Sequence, residues 1–365
     1  MTETVLQFGG GKFLRSFADF FIHEANAAGQ NVGQVVVVQS TAGPRAGWFN
    51  ERQGKYQVMV RGLVDGGKVD EVREIASVSR ALVAAEQWPQ VIEVATSADL
   101  RWIISNVTEA GYAFQEGEVI GSPQSFPARL TAALRARFDA GLPGVPILPC
   151  ELVDNNGERL QELVLKQSRA WGLRSAFVDW VGGECMWPNA LVDRIVSSPP
   201  DGHPLLADDP LLAVAEPFAL WAIEEFEDLE LFDHAALQRV ADVEPYALRK
   251  VRILNGAHQA LVCKALGCFA TVREAVADAE TEAWLRKLLS EEIVPVVDER
   301  VEGAAAFVEE TMQRFANPFL DHKLTDIAVY HEEKVAVRLM PTHREYCERF
   351  EAEPPLLTEI LEPFF

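Results

Sequence analysis

Three residues in 246-YALRKVRILNGAHQAL-261 could do acid/base chemistry together: Lys250, Asn255 and His258. They bring an amine, a carboxamide and an imidazole within about two helical turns. A polyol or sugar dehydrogenase that works without a metal needs that set. One group must move the hydroxyl proton, and another must hold the alkoxide while hydride leaves carbon. On an ideal α-helix, at about 100° per residue, His258 lies roughly 80° from Lys250 and Asn255 roughly 140° away. The three therefore share one broad face. An ordinary amphipathic helix, with Lys250 in water and Asn255 and His258 bonded locally, has the same spacing. For Lys250 to exchange a proton near neutral pH, burial and nearby cations must make its ammonium more acidic, and Arg249 and Arg252 are close enough in sequence to help. His258 either positions substrate hydroxyls, orients Lys250, or makes a purely structural hydrogen bond.

Such a trio needs a hydride carrier, and the amino terminus offers a frame for one. In 4-TVLQFGGGKFLRSFADFFIHEANAAG-29 a short apolar strand, Val5 to Phe8, runs into three glycines. A helix with Phe13, Phe17, Phe20, Phe21 and Ala25 on its apolar positions follows, and Gly29 stops it. Then 35-VVVVQST-41 is a β-branched run suited to a strand buried on both faces of a parallel sheet. Strand, glycine turn, helix and strand make a βαβ unit. Its turn lets a pyrophosphate approach backbone N–H groups at the positive end of a helix. Gly9 and Gly11 fit G-x-G-x-x-G, but Leu14 holds the third glycine position. A P-loop is excluded, because Leu6 and Phe13 stand where its first Gly and its Ser/Thr belong.

The pattern Gly9, Gly11, Phe13, Arg15 resembles the G-x-G-x-F-x-R of the polyol-specific long-chain dehydrogenase/reductase family, which includes mannitol dehydrogenases, mannitol-1-phosphate dehydrogenase and the hexuronate reductases. The family signature Lys-x4-Asn-x2-His matches Lys250, Asn255 and His258 without a gap. A third block, 187-WPNALVDRIV-196, is similar to the family's Asn-x3-Asp-Arg-Ile segment and supplies Asn189, Asp193 and Arg194. Segments 105-SNVTEAGY-112, 149-PCELVDNNGERLQELVLKQSRAWGL-173, 253-ILNGAHQALV-262 and 316-ANPFLDHKLTDIA-328 resemble the tagaturonate-reducing branch most. The resemblance runs from Thr4 to about Pro341. It implies catalysis by Lys250, Asn255 and His258 with Asn189 as a second alkoxide donor. Cofactor contacts are expected from Phe8, Gly9, Gly11, Lys12, Phe13, Gln39, Asn106, Thr108 and Glu109, and substrate contacts from Arg194, His322, Lys334 and Arg338. It also implies NAD and no metal.

Composition narrows the partners. A net charge of −22, with a sequence pI of about 4.8, disfavours nucleic acid and anionic membranes. It also means that an anionic substrate must find a local basic pocket, for which Arg194, Arg252, Lys334 and Arg338 are the candidates; each could equally be a surface charge. Five cysteines without evident pairing suggest a reducing cytoplasm, and Cys263 and Cys268 lack partners for a zinc site. No signal peptide or membrane-spanning run is visible. The 365 residues suggest two domains, a monomer or small homo-oligomer, and a small-molecule sugar acid or polyol as the partner.

The order of elements gives the fold class: α/β, a Rossmann-like doubly wound parallel sheet followed by a mainly α-helical domain. Strands are predicted at 56–64, 101–108, 145–152 and 176–181, and helices near 77–96, 127–139 and 157–171. Leu211, Val214, Phe218 and Trp221 recur at helical spacing, Thr271 and Glu274 form a possible capping box, and Asn317-Pro318 ends a last long helix. The Pro- and Asp-rich stretch 198–210 is the predicted linker between a dinucleotide-binding domain, 1–197, and a helical substrate domain, 208–365. The site is expected in the crevice between them.

Three departures keep alternatives open. No Asp or Glu follows the second strand, at Gln39-Ser40-Thr41, to hold an adenosine 2′-hydroxyl, and Arg45 could meet a 2′-phosphate, so NADP stays open. Cys150-Glu151-Leu152 and His322-x3-Asp326 replace the Cys-Asp-Asn and Asp-x3-Arg of mannitol dehydrogenases, which moves the chain away from free polyols. The chain ends at Phe365, nearer in length to mannitol-1-phosphate dehydrogenase than to hexuronate reductases, so helices that close part of their pocket are expected to be missing. A ketohexuronate reductase, a hexitol or hexitol-phosphate dehydrogenase, and a nucleotide sensor without turnover are the readings left. The last has no use for the Lys-Asn-His set.

Overall fold

In the computed structural model the amino-terminal apolar runs become a five-stranded sheet, in the order β5-β2-β1-β6-β7, with every adjacent pair parallel. The strands are β1 (Glu3–Phe8), β2 (Gln34–Gln39), β5 (Val78–Val83), β6 (Trp102–Ser105) and β7 (Ile147–Pro149). All 365 residues are described, the side chain of Glu109 excepted, so that expected cofactor contact lies outside the described residues. Helices α1 (Lys12–Arg15), α2 (Ala18–Ala27), α3 (Arg45–Glu51), α4 (Trp88–Ala95), α5 (Phe126–Asp139), α6 (Asn156–Ala170) and α7 (Ser175–Gly183) connect or flank these strands. Val36 and Val38 from β2 pack with Leu130, Leu160 and Phe177 from the helices in one apolar core. Burial on both faces is what the unbroken valine run requires. Strand order reverses between β1 and β6, so the chain leaves the sheet at Phe8-Gly9 and Ser105-Asn106 on either side of a topological switch point.

Two smaller sheets follow: β4 (Gly67–Ile75), β3 (Tyr56–Val64), β10 (Ala213–Ala215) and β9 (Val196–Ser197) in the order β4-β3-β10-β9, and β12 (Leu237–Val240), β11 (Leu220–Glu224) and β8 (Ala190–Asp193) in the order β12-β11-β8. They correct several sequence expectations. The predicted strand at 56–64 forms, but in the second sheet. Residues 77–96 are not one helix, because β5 pairs with β2 before α4 begins. Residues 176–181 are helical, with Phe177, Trp180 and Val181 buried at i, i+3 and i+4. Conversely, the helical spacing from Leu211 to Trp221 belongs to β10 and β11, where pairing across strands overrides local periodicity.

The chain divides into two compact units, Met1–Val60 with Glu71–Val243, and Arg61–Asp70 with Glu244–Phe365. The stretch 198–210 is thus a loop inside the first unit rather than a linker. Buried Asp209 anchors it by accepting from the backbone N–H groups of Gln57 (2.6 Å) and Leu211 (2.9 Å). The boundary falls at Val243-Glu244, after the third sheet.

The second unit is helical: α8 (Glu244–Arg249), a π-helical turn (Lys250–Asn255), α9 (Gly256–Ala265), α10 (Val272–Ala277), α11 (Ala279–Lys287), a second π turn (Leu288–Ile293), α12 (Val294–Val297), α13 (Ala304–Phe315), α14 (Leu324–Ile327), α15 (His331–Arg338), α16 (Met340–Phe350) and α17 (Pro355–Leu361). Thr271 caps α10, its hydroxyl accepting from Glu274 N–H (3.2 Å). The Glu274 carboxylate closes the box one residue early, on Ala270 N–H (2.9 Å). Among the described residues no helix is long and apolar enough to cross a membrane.

Candidate active site

In the first unit the glycine turn is built from below. Gly9 has φ +113°, and a Cβ there would stand 2.6 Å from the Asn106 carbonyl oxygen, so only glycine lets the chain leave β1 beside β6. Gly11 has the opposite character: no heavy atom lies within 4 Å of where its Cβ would be. The backbone ahead of α1 is thus open to a ligand. Buried side chains brace the underside. Arg15 Nη1 donates to Gly10 O (2.7 Å) and Gln7 Nε2 to Gly9 O (3.1 Å). The Asp19 carboxylate accepts from Gln7 Nε2 (3.4 Å) and Tyr56 Oη (3.2 Å).

Asp19 is 0% exposed, and burial pushes its carboxyl up to about 7, against hydrogen bonds from Tyr56 and Gln7 that favour the carboxylate. Because the folded state holds this proton more tightly than the unfolded chain, the stabilisation is full below about pH 4 and is lost as pH rises through about 7. Glu151, buried and also raised to about 7 by desolvation, has the same sign. The Asp19→Asn protein is therefore expected to be more heat-stable than wild type at pH 8, by up to about 4 kcal/mol, and equal to it near pH 4. Melting temperatures across that range check this.

The remaining expected cofactor residues separate into two groups. Lys12 is exposed, its ammonium 3.2 Å from Ser198 Oγ, Thr108 is exposed, and Asn106 is half-buried with its amide donating to Cys150 O (2.6 Å). Phe13 is half-buried and stacks on Phe17 at 4.8 Å. Two others have side chains engaged within the fold. Phe8 is wholly buried in the sheet core. Gln39 folds the loop after β2, donating to Thr41 O and Gly43 O and accepting from Ala46 N–H, which leaves one acceptor site on its amide oxygen. Arg45, at the start of α3, lies beside the turn, its Cδ 3.5 Å from where a Gly10 Cβ would stand.

In the second unit, Lys250 through Asn255 are π-helical. A π turn closes between residues five apart, so Asn255 comes to lie over Lys250 rather than some 140° around the helix. The α-helix resumes at Gly256, and His258 follows Asn255 at i+3, on the same face. The trio is therefore tighter than the α-helical wheel predicts. Such π turns within α-helices are frequent at functional sites. Lys250 and Asn255 are half-buried, and His258 is buried. Among the described residues the Asn255 amide has no hydrogen-bond partner. His258 Nδ1 lies 3.0 Å from Leu254 O, an acceptor, so Nδ1 carries the proton and Nε2 is left as an acceptor. Burial first, then His322, Arg314 and Arg338, hold its pKa well below the usual imidazole range.

Neighbouring elements of this unit bring further cations to the same turn. The Arg338 backbone oxygen and Leu339 Cδ2 lie 3.7 Å from where a Gly256 Cβ would stand, which packs the end of α15 against Gly256. The His322 ring centroid is 4.9 Å from that of His258, and its Nδ1 is buried without a partner among the described residues. The Lys334 ammonium donates to Ile327 O (2.9 Å), and burial followed by Arg338 lowers its pKa.

Two expected site residues of the first unit are largely engaged. Arg194, 7% exposed, donates to Glu216 O (3.0 Å) and Ser16 O (2.7 Å) and lies over the Phe20 ring. Its Nε and Nη1 are used inside the fold. Asn189, 4% exposed, accepts from Gly157 and Glu158 N–H groups at the start of α6 and donates to Glu224 Oε2 (2.9 Å). One amide hydrogen remains. Arg252, a further anion candidate, is neutralised by Glu345 (2.8 Å). Gln7, Asp19 and Tyr56 escaped sequence reasoning; the available signals were polar Gln7 inside an apolar strand and Asp19 among phenylalanines. Among the described residues no group of three His, Cys, Asp or Glu could hold a metal.

The mannitol dehydrogenase Rossmann domain profile matches residues 3–231, and the mannitol dehydrogenase C-terminal domain profile matches residues 242–361. The chain belongs to the mannitol dehydrogenase family. Within it, the chain is 39% identical to an altronate oxidoreductase of Halalkalibacterium halodurans, over 98% of this chain and 73% of that protein. It is also 39% identical to one of Bacillus subtilis, over 95% and 76%. Of solved structures, substrate-free D-sorbitol dehydrogenase superposes with a TM-score of 0.85 at 22% identity, covering 99% of this chain and 81% of that one. Pseudomonas fluorescens mannitol 2-dehydrogenase, a ternary complex with NAD and D-mannitol, gives 0.79 at 22%, covering 99% and 78%. These two confirm the fold, a Rossmann sheet with a helical carboxyl-terminal part. Membership of this family makes the chain an oxidoreductase acting on CH–OH groups.

Proposed function

We propose that the chain is an NAD-dependent oxidoreductase interconverting a ketohexuronate and its aldonate, with tagaturonate and altronate as the preferred pair. The observation that carries this is the Lys250-Asn255-His258 trio on one π-to-α turn, in a chain 39% identical to altronate oxidoreductases. The first unit suits the cofactor: Gly9 makes the turn, Gly11 leaves its backbone open, Lys12 and Asn106 border it, and Thr108 is exposed in the loop after β6. Bound there, the nicotinamide supplies the hydride for reduction and accepts it for oxidation. NAD is preferred because the related mannitol 2-dehydrogenase is a complex with NAD; Arg45 beside the turn is the residue that favours NADP.

The chain's own residues handle the proton and the charge. In reduction the Lys250 ammonium donates its proton to the ketone oxygen, and in oxidation the amine takes it from the hydroxyl. Asn255, whose N–H groups have no partner among the described residues, donates to the developing alkoxide, and Asn189 has one further N–H to offer. His258, neutral and with its Nδ1–H fixed on Leu254, accepts a substrate hydroxyl at Nε2. Its pKa is low, so no His258 titration is expected near pH 6.5 in kcat/KM. Asn255→Ala is expected to lower kcat by about 10²- to 10³-fold with little change in NADH affinity. Stopped-flow turnover and fluorescence titration check the two parts.

Initial rates of NADH and NADPH oxidation with tagaturonate, fructuronate, fructose and fructose 6-phosphate test the assignment. The highest kcat/KM is expected for tagaturonate with NADH. Preference for fructose or its phosphate would give the hexitol reading instead, and micromolar NADH binding without turnover of any of them would give the sensor.

A further inference from the structure

We propose that buried Asp19 is the positioning residue of the glycine turn, and that binding of the anionic dinucleotide is coupled to uptake of a proton by its carboxyl. This rests on the cofactor placement above and adds how the affinity is set. Hydrogens come before charges here. Both amide hydrogens of Gln7 are spent, one on Gly9 O (3.1 Å) and one on Asp19 Oδ2 (3.4 Å). Gln7 Oε1 is buried without a partner among the described residues, and so is Asp19 Oδ1. Tyr56 repeats the shortage. Its hydroxyl stands 2.9 Å from Arg15 O and 3.2 Å from Asp19 Oδ2, with one hydrogen for two acceptors. A proton on Asp19 gives this cluster the donor it lacks, whereas a carboxylate leaves it one short.

What the cluster holds is the turn itself. Gln7 ties down the carbonyl of Gly9, and Tyr56 that of Arg15. The Arg15 guanidinium in turn takes Gly10 O (2.7 Å) and Leu211 O (3.0 Å). The carbonyls of the turn are thus fastened to buried side chains, and its open side at Gly11 is left to the pyrophosphate. Charge acts in the same direction. Arg15, lowered by burial to about 10, stays cationic between pH 6 and 8, but it bonds to backbone rather than to Asp19. Burial holds the Tyr56 phenol and the Cys150 thiol well above their ordinary ranges, so both keep their protons. Asp209, which faces Arg15 and Tyr56, is paired with Arg52 at 3.5 Å. Asp19, raised to about 7, is the member of this cluster that titrates near neutrality. Ionised, it is a buried anion beneath the seat of a diphosphate, and like charges repel strongly across a poorly polarisable interior. The free protein therefore holds Asp19 partly ionised at pH 7, and the complex holds it protonated.

Fluorescence titration of the full-length protein with NADH across this pH range is the test. The pyrophosphate keeps its charge throughout. Affinity is greatest below the Asp19 pKa and falls as pH rises through it, so Kd is expected to increase about 5- to 10-fold between pH 6 and pH 8. Calorimetry at pH 7 in buffers of different ionisation enthalpy should count about half a proton taken up per NADH, and this count needs no variant. Asp19→Asn keeps the shape and cannot ionise. It should bind NADH at pH 8 as tightly as wild type does at pH 6, with a flat profile and no proton uptake. Glu151→Gln is the control, because Glu151 is also raised to about 7 but braces Ser105 and Val107 rather than the turn, and there the slope should persist. A wild-type Kd that does not move with pH, or binding without proton uptake, overturns the proposal. So does a slope that survives in Asp19→Asn or vanishes in Glu151→Gln. A folded Asp19→Asn protein that binds NADH poorly at every pH overturns it too, because the residue then acts through shape alone. Wild type that binds NADH at no pH is a different result and removes the cofactor placement itself.

Discussion

Lys250→Ala is expected to lower kcat for ketone reduction by about 10²- to 10⁴-fold while leaving the dissociation constant for NADH within about two-fold of wild type. The split follows from placement. Lys250 opens the π turn of the helical unit, whereas the residues proposed to hold the cofactor belong to the glycine turn of the other. A proton donor works only in the transition state, so its removal should reach kcat and kcat/KM alike. Equal loss of turnover and NADH affinity would instead make Lys250 a cofactor ligand or a structural residue. Rapid-mixing single turnovers read the chemical step apart from product release. Lys250→Arg is the useful companion, because a guanidinium keeps the charge but holds its proton.

The second large effect concerns the two glycines, which should fail in different ways. Gly9→Ala places a methyl 2.6 Å from the Asn106 carbonyl oxygen at φ +113°, where backbone must give way. Strain and overpacking together should remove at least about 2 kcal/mol of stability, and cofactor binding with it. Gly11→Ala meets nothing within 4 Å, so its melting temperature should stay near wild type. Its methyl would nonetheless fill the space through which a pyrophosphate reaches the backbone, and NADH affinity should fall about ten-fold or more. Calorimetry and NADH fluorescence on the same two proteins separate the cases. A Gly11→Ala protein that binds NADH like wild type would move the cofactor off this turn.

Much of this arrangement was legible in the residues because its physics is local. An apolar strand, a glycine turn and a helix of phenylalanines followed by a valine run can hardly be packed except as a βαβ unit, and that unit is present as expected. What was hidden depends on partners distant in sequence. Val78–Val83 reads as helix until β2 is beside it, and Phe177, Trp180 and Val181 read as strand until the core claims one face of α7. The π turn was invisible for a different reason. It changes the hydrogen-bond register of a helix without changing its apolar pattern, yet it moves Asn255 over Lys250. Asn189, Arg194 and Gln39 carry the same lesson for site prediction: residue type marks what a side chain can bond, while burial decides whether that capacity is already used inside the fold.

The most direct test of the central claim is chemical rescue of Lys250→Ala. Single-turnover reduction of tagaturonate by NADH, followed at increasing concentrations of methylamine and ethylamine, should recover in proportion to the ammonium present. The variant's NADH affinity should stay constant throughout. A folded, NADH-binding variant that no amine restores, or one that turns over as fast as wild type without any, would contradict proton transfer by the Lys250 amine.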